Sequence, residues 1–143
     1  NVYGPHDKFD LEKSHVFGAS ITKVLKNKSG VVNIWGDGKE GRDLIYVDDL
    51  NRLIELIIEK QKNSFELICA GSGYTIRIID LVKKIIKISD KKLKISNDLS
   101  KPTIKTNISL KSSKAKRLFN WIPKVDIDSG IIKTIEWYNK NKI

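Results

Sequence analysis

Three observations predict an α/β fold. Short β-branched apolar runs alternate along the chain with stretches whose apolar residues recur at helical spacing. Glycine turns, Gly36-Asp37-Gly38 and Gly71-Ser72-Gly73 among them, punctuate the change from one kind of segment to the other. The third is composition. A chain of 143 residues, 40% apolar and 31% charged, can fill one modest core, and it is too rich in Ile, Leu and Val to be disordered or fibrous.

The elements follow in order. Asn1-Val2-Tyr3 reads as the end of an apolar strand broken by Gly4-Pro5. Because the first residue is Asn rather than Met, the natural chain is expected to extend upstream. Ser14 is placed to cap a helix carrying Val16, Ile21, Val24 and Leu25, which stops near Ser29-Gly30. Val31–Trp35 and Leu44–Val47 have the length and branching of strands. Asp48 or Asp49 then opens a helix with Leu50, Leu53, Ile54, Ile57 and Ile58 on one stripe. Phe65–Ala70 reads as a buried strand, followed by a helix capped at Thr75 with Ile76, Ile79, Val82, Ile85 and Ile86 inward. Leu93–Ser96 is expected at a sheet edge, and Lys101-Pro102-Thr103 in a loop, since proline cannot donate to a central ladder. Ser112 or Ser113 caps a short helix through Ala115, Leu118 and Phe119, and Asp128 a last one with Ile131, Ile132, Ile135 and Tyr138 inward.

Composition also bears on function. Lys and Arg exceed Asp and Glu by 27 to 17, a net charge of +10. The lysines are spread along the chain without an aromatic platform, so a solvated surface is expected rather than a nucleic-acid face. No apolar run approaches the roughly 18 residues that cross a bilayer, and one cysteine, Cys69 in the run Leu67–Ala70, forms no internal disulfide. A reduced, cytoplasmic setting without membrane or nucleic-acid partners is the expectation.

Some residues could carry chemistry. His6 and His15 lack nearby Cys or carboxylate ligands at metal spacing, so no metal site is expected. Tyr138 and Lys142 stand four apart, like a Tyr base and its Lys, but on a polar C-terminal helix with no nucleotide-binding unit before it, where the match is accidental. Arg42, beside a glycine turn and ahead of a strand, suits a bidentate phosphate contact, with an exposed ion pair as the competing explanation. Trp35 can stack on a base or sugar, or simply pack in the core. His15 follows a cap residue, where the helix dipole favours the neutral imidazole and suits it to proton transfer, although an isolated His is commonly structural.

Taken together, Asn1–Asp10, Ser14-His15-Val16, Trp35–Gly38 and Arg42–Leu50 resemble stations of the extended short-chain dehydrogenase/reductases, the NAD-dependent epimerase/dehydratase family. Ala70–Arg77 and Ser113–Lys124 extend the resemblance over nearly the whole chain. It implies the C-terminal part of a Rossmann-type fold, the last sheet strands with a small substrate-binding subdomain. Residues 1–143 would be one such segment, with the cofactor-binding part absent. It further implies that Asn1, Val2 and His15 meet the nicotinamide end of NADP or NAD, NADP being favoured, and that His15 donates a proton during epimerisation. Lys23, Trp35 and Arg42 fall on substrate positions, Arg42 as pyrophosphate anchor and Lys101 as a second phosphate contact. The implied partner is a nucleotide-diphosphate sugar, and the implied parent enzyme an NAD(P)-dependent epimerase/reductase and a homodimer. The glycine-rich cofactor loop and the catalytic Ser and Tyr-x-x-x-Lys of such enzymes lie upstream of Asn1, so this segment alone is expected to be inactive. A proline expected after Val16 is replaced within Phe17-Gly18-Ala19, and Lys101-Pro102-Thr103-Ile104 fits sugar-nucleotide epimerases broadly. Sugar and outcome stay open. The alternatives are a non-catalytic sugar-nucleotide-binding module and a different nucleotide-sugar epimerase or dehydratase.

Overall fold

The computed structural model describes residues 1–141. Its elements are β1 (Val2–Tyr3), α1 (Val16–Leu25), β2 (Val31–Trp35), β3 (Gly41–Arg42), β4 (Ile45–Tyr46), α2 (Val47–Lys60), β5 (Ile76–Arg77), α3 (Ile78–Ile88), β6 (Lys94–Asp98), β7 (Asn107–Ile108), α4 (Ser113–Phe119) and α5 (Ile127–Lys140). The α/β class expected from the sequence is the class that forms.

Parallel pairing dominates, because the helices between the strands carry the chain back before the next strand begins. β1 pairs with β4, and β2 with β6 in the register Val31↔Lys94 through Trp35↔Asp98. β3 lies between β5, antiparallel, and β7, parallel. Along β2 the residues alternate: Val32 and Ile34 point into the core while Val31 and Trp35 point out. The main core joins Phe17, Ile21 and Val24 of α1 to Leu81, Val82 and Ile85 of α3 and Ile131 of α5. A smaller core gathers Ile45, Leu53, Ala115, Phe119 and Trp121.

Two buried carboxylates knit these parts together. Asp49, 2% exposed, accepts hydrogen bonds from the backbone N–H groups of Lys124 and Val125 and pairs with Arg52 at 2.5 Å. Asp43 accepts from Ser72 N and Oγ, Gly73 N and Leu110 N, all within 2.7–3.2 Å. Burial works against its charge, and these bonds more than offset it, holding the carboxyl below the usual carboxylate range.

Several expectations are corrected. Ser14 does not cap α1: His15 occupies that position, without a side-chain bond, and the Ser14 N–H donates to Asp10 O in the preceding turn. Thr75 is not a cap, because Ile76–Arg77 first pairs with Gly41–Arg42 and α3 starts after it. The last helix is capped by Asp126, which accepts from Ser129 N, while Asp128 pairs with Lys84. Nor does Asp48 or Asp49 cap α2; both stand in its first turn, after Tyr46. Ser112 does stand at the N-cap position of α4, as expected, but its hydroxyl makes no cap bond and is spent on Gly71, accepting from its N–H and donating to its carbonyl. Phe65–Ala70 forms no strand, since no neighbouring strand supplies a ladder; Phe65, Leu67 and Cys69 are exposed. Ile54 and Ile58 on α2 and Ile132 on α5 are likewise exposed, so their stripes are only partly covered. Tyr138 is buried against Phe9, and Lys142 lies outside the described residues. Among the described residues no helix is long and apolar enough to cross a membrane, and no group of His, Cys, Asp and Glu has metal-site geometry.

Candidate functional site

The chain reverses after β2 at Gly36, whose φ of +65° is a left-handed conformation that glycine adopts at little cost. A Cβ there would stand 2.2 Å from Thr103 Cγ2, so the 99–106 loop packs directly over the turn. Gly36 N–H donates to Asp98 O, and Asn97 Nδ2 donates to Gly36 O, which ties the turn to the end of β6. Trp35, the last residue of β2 and on the outward side of that strand, is 53% exposed, and Lys101 lies over its ring.

A cavity of about 320 Å³ opens beside this turn, a volume within the usual range for small-molecule sites. Lys23, Trp35 and Arg42 all line it, together with Ser14 and Val16 at the head of α1, Glu40, and Pro102–Ile104. The structure therefore brings together three of the four residues expected at a substrate site, with the fourth, Lys101, next to the lining residue Pro102. The Lys23 ammonium stands 5.8 Å from the centre of the Trp35 ring and that of Lys101 5.9 Å from it, so two cations lie within cation–π range of the indole. Lys23 also donates to Asn33 O at 3.1 Å, and burial holds its ammonium below the usual lysine pKa.

Arg42 is partly committed. Nη1 donates to Gly41 O at 2.9 Å and Thr106 O at 3.2 Å, and Nη2 to Ile104 O at 3.4 Å. Of the five N–H groups of a guanidinium, Nε–H and one on Nη2 keep no protein acceptor among the described residues, a pair suited to a planar anion. The same side chain lines a second cavity of about 510 Å³ beside Tyr74–Ile76 and Pro123–Ile127.

The other expected residues stand apart. His15 is exposed at the head of α1, between lining residues Ser14 and Val16 but not itself in the lining. Asn1 donates through Nδ2 to Asp43 O at 3.4 Å, and Val2 pairs with Ile45; neither lines either of these two cavities. Sequence reasoning missed Asp43, which fastens the Gly71-Ser72-Gly73 turn and Leu110 next to Arg42. Its signal was a carboxylate at the edge of an apolar strand, where a satisfied buried charge is the main physical explanation. Glu40, another cavity residue, carried no signal.

Comparison with known proteins agrees with this architecture. Residues 1–70 match the model of the NAD dependent epimerase/dehydratase family. The chain is 36% identical to a GDP-L-fucose synthase of Sinorhizobium fredii, covering 99% of this chain and 45% of that protein. It is 34% identical to the GDP-L-colitose synthase of Yersinia pseudotuberculosis, covering 99% and 47%. It overlays UDP-glucose 4-epimerase of Thermotoga maritima, solved with UDP-glucose, with a TM-score of 0.82, 32% identity and coverage of 100% and 45%. The overlay on a GDP-L-fucose synthetase of Naegleria fowleri bound to NADP has a TM-score of 0.91 at 22% identity, covering 99% and 45%, and speaks for the fold alone. The chain thus spans under half the length of these relatives. Its α/β fold matches part of their Rossmann-type short-chain dehydrogenase/reductase structures, and its first 70 residues carry the match to the NAD dependent epimerase/dehydratase family.

Proposed function

We propose that this chain forms the sugar-diphosphate side of the cleft in an NAD(P)-dependent nucleotide-diphosphate-sugar epimerase/reductase, like the GDP-L-fucose synthases it resembles. The observation that carries this reading is the meeting of Lys23, Trp35 and Arg42 on one cavity wall, with Lys101 over the indole. An aromatic face suits the flat or apolar side of a base or sugar. The two open N–H groups of Arg42 suit adjacent phosphate oxygens, and Lys23 and Lys101 add charge without fixed geometry.

A cofactor-binding portion upstream of Asn1 belongs to the same proposal. The exposed apolar side chains of Val2, Phe65 and Leu67 support it, since a further layer would bury them. Ser14 Oγ is enclosed without any hydrogen-bond partner, one residue before His15, and a hydroxyl left that way fits a polar group brought by a bound cofactor. The nicotinamide, NADP by resemblance, would supply hydride exchange at a sugar carbon. His15 would hold the proton returned to a carbon beside the resulting carbonyl.

The test is calorimetric titration of the chain with GDP- and UDP-sugars, unmodified and as Arg42→Ala. Losing a charged hydrogen bond costs about 1.5–3 kcal/mol, so affinity should drop by roughly ten- to a hundredfold. Equal affinity for both proteins overturns the anchor role.

A further inference from the structure

We infer that the Glu40 carboxylate accepts the two ribose hydroxyls of the nucleotide, which makes the cavity selective for ribonucleoside-diphosphate sugars over 2′-deoxy ones. The inference rests on the proposed nucleotide-sugar cleft and adds a selectivity to it.

The direction of Glu40 follows from the backbone. Gly41 pairs with Arg77, and Ile78 N–H donates to Glu40 O at 3.1 Å, so residues 40–42 run extended beside β5. Side chains alternate across such a strand. Gly41 marks one face, where a Cβ would run into the Asn107 side chain and stand 3.0 Å from Thr75 Cβ. Glu40 and Arg42 therefore share the opposite face, and both line the cavity that holds Trp35 and Lys23. Two residues along a strand are about 7 Å apart, close enough to meet neighbouring parts of one nucleotide.

Glu40 is also uncommitted. Its neighbour Lys39 pairs with Asp37 at 3.7 Å, Lys23 donates to Asn33 O, and Arg42 donates to three backbone carbonyls. Among the described residues no ion pair includes Glu40. It is half-buried, whereas Glu12, the other acid of the lining, is exposed.

An ionised carboxylate accepts hydrogen bonds and donates none. In a cavity whose cations suit a diphosphate, an open acceptor repels the ligand unless the ligand brings donors to it. The phosphates bring none. A ribose brings two hydroxyls on adjacent carbons, a match for the two oxygens of a carboxylate, and bonds to a charged acceptor are the strong ones. Position agrees with chemistry. With the base on the Trp35 indole and the diphosphate on Arg42, the ribose lies between them, while the hexose lies beyond the diphosphate.

The experiment is calorimetric titration of the chain with GDP and with 2′-deoxy-GDP, neither of which carries a hexose, for the unmodified protein, Glu40→Ala and Glu40→Gln. A hydrogen bond to a charged group sets the expected preference of the unmodified chain for GDP at about ten- to 150-fold. Glu40→Ala should bring the two affinities together, and Glu40→Gln, an uncharged acceptor, should keep a smaller preference. Each ratio is taken within one protein, so a general loss of affinity cancels from it. Equal affinities in the unmodified chain overturn the inference, as does a preference that survives undiminished in both variants. A chain that binds neither nucleotide overturns the nucleotide-sugar reading instead, which separates the two failures.

Discussion

The Lys23 ammonium lies 5.8 Å from the centre of the Trp35 indole, on a ring that Lys101 approaches at 5.9 Å. The pleat of β2 puts this ring on the outward side of the strand, with Val31 and Asn33, where both ammonium groups come near it.

Trp35→Ala should therefore separate binding from stability. Stacking of a base on an aromatic ring is worth about 1–3 kcal/mol, so nucleotide-sugar affinity should weaken by roughly five- to 150-fold. Unfolding by urea should change by less than about 1 kcal/mol, as for an exposed site. A large loss of stability with unchanged affinity would assign the indole to packing.

Asp43 is a matter of acid stability. Its folded carboxyl lies below the unfolded value, so the stability it adds is fully present above the unfolded pKa, near 3.9, and is lost as pH falls through the folded one. Asp43→Asn should cost about 2–3 kcal/mol at pH 7, leaving buried donors of Ser72, Gly73 and Leu110 poorly matched. In urea titrations at descending pH the gap between the two proteins should close below about pH 4. A gap that stays constant would exclude the carboxylate charge as its source.

Gly18→Ala tests the seating of the Lys8 loop. Alanine ordinarily favours a helix by up to about 1 kcal/mol over glycine, but here the new methyl meets a backbone carbonyl oxygen 2.3 Å away. The variant should be destabilised by about 1–3 kcal/mol, the usual range for overpacking, and His15 should change its NMR environment because its neighbour loop is displaced. A rise in Tm would mean the loop yields freely.

The Phe65–Ala70 segment makes a prediction about behaviour in solution. Phe65 is 80% exposed, and with Leu67 and Cys69 it offers an extended apolar edge of the kind that seeks a strand. Leu67→Lys should lower self-association of this chain in sedimentation experiments without lowering Tm. Unaltered association would place the sticky surface elsewhere.

How much was legible in the sequence can be judged from single residues. The β2 strand, the bodies of α1, α2, α3 and α5, and the grouping of Lys23, Trp35 and Arg42 follow from apolar period, turn glycines and family stations. Helix starts were less legible. A cap depends on which of several neighbouring polar side chains meets a free N–H, and Asp126 took the place expected for Asp128 because the helix starts at Ile127, which leaves Asp128 inside its first turn and Asp126 three residues before the Ser129 N–H. The strand expected at Phe65–Ala70 needed a partner that local composition cannot encode. Asp43, Asp49 and Asp7 were not singled out as structural carboxylates, because each is defined by donors brought from distant segments or by an enclosure visible only in three dimensions.

The acceptors that hold Arg42 come from its own neighbour, Gly41, and from Ile104 and Thr106, which follow it by 62 and 64 residues. A diphosphate arriving at this guanidinium must share it with the strap that also carries Lys101 and Thr103. Uptake of ligand and the pose of that strap thus form one equilibrium. Loosening the strap, as with Pro102→Gly, will be read out as a change in affinity.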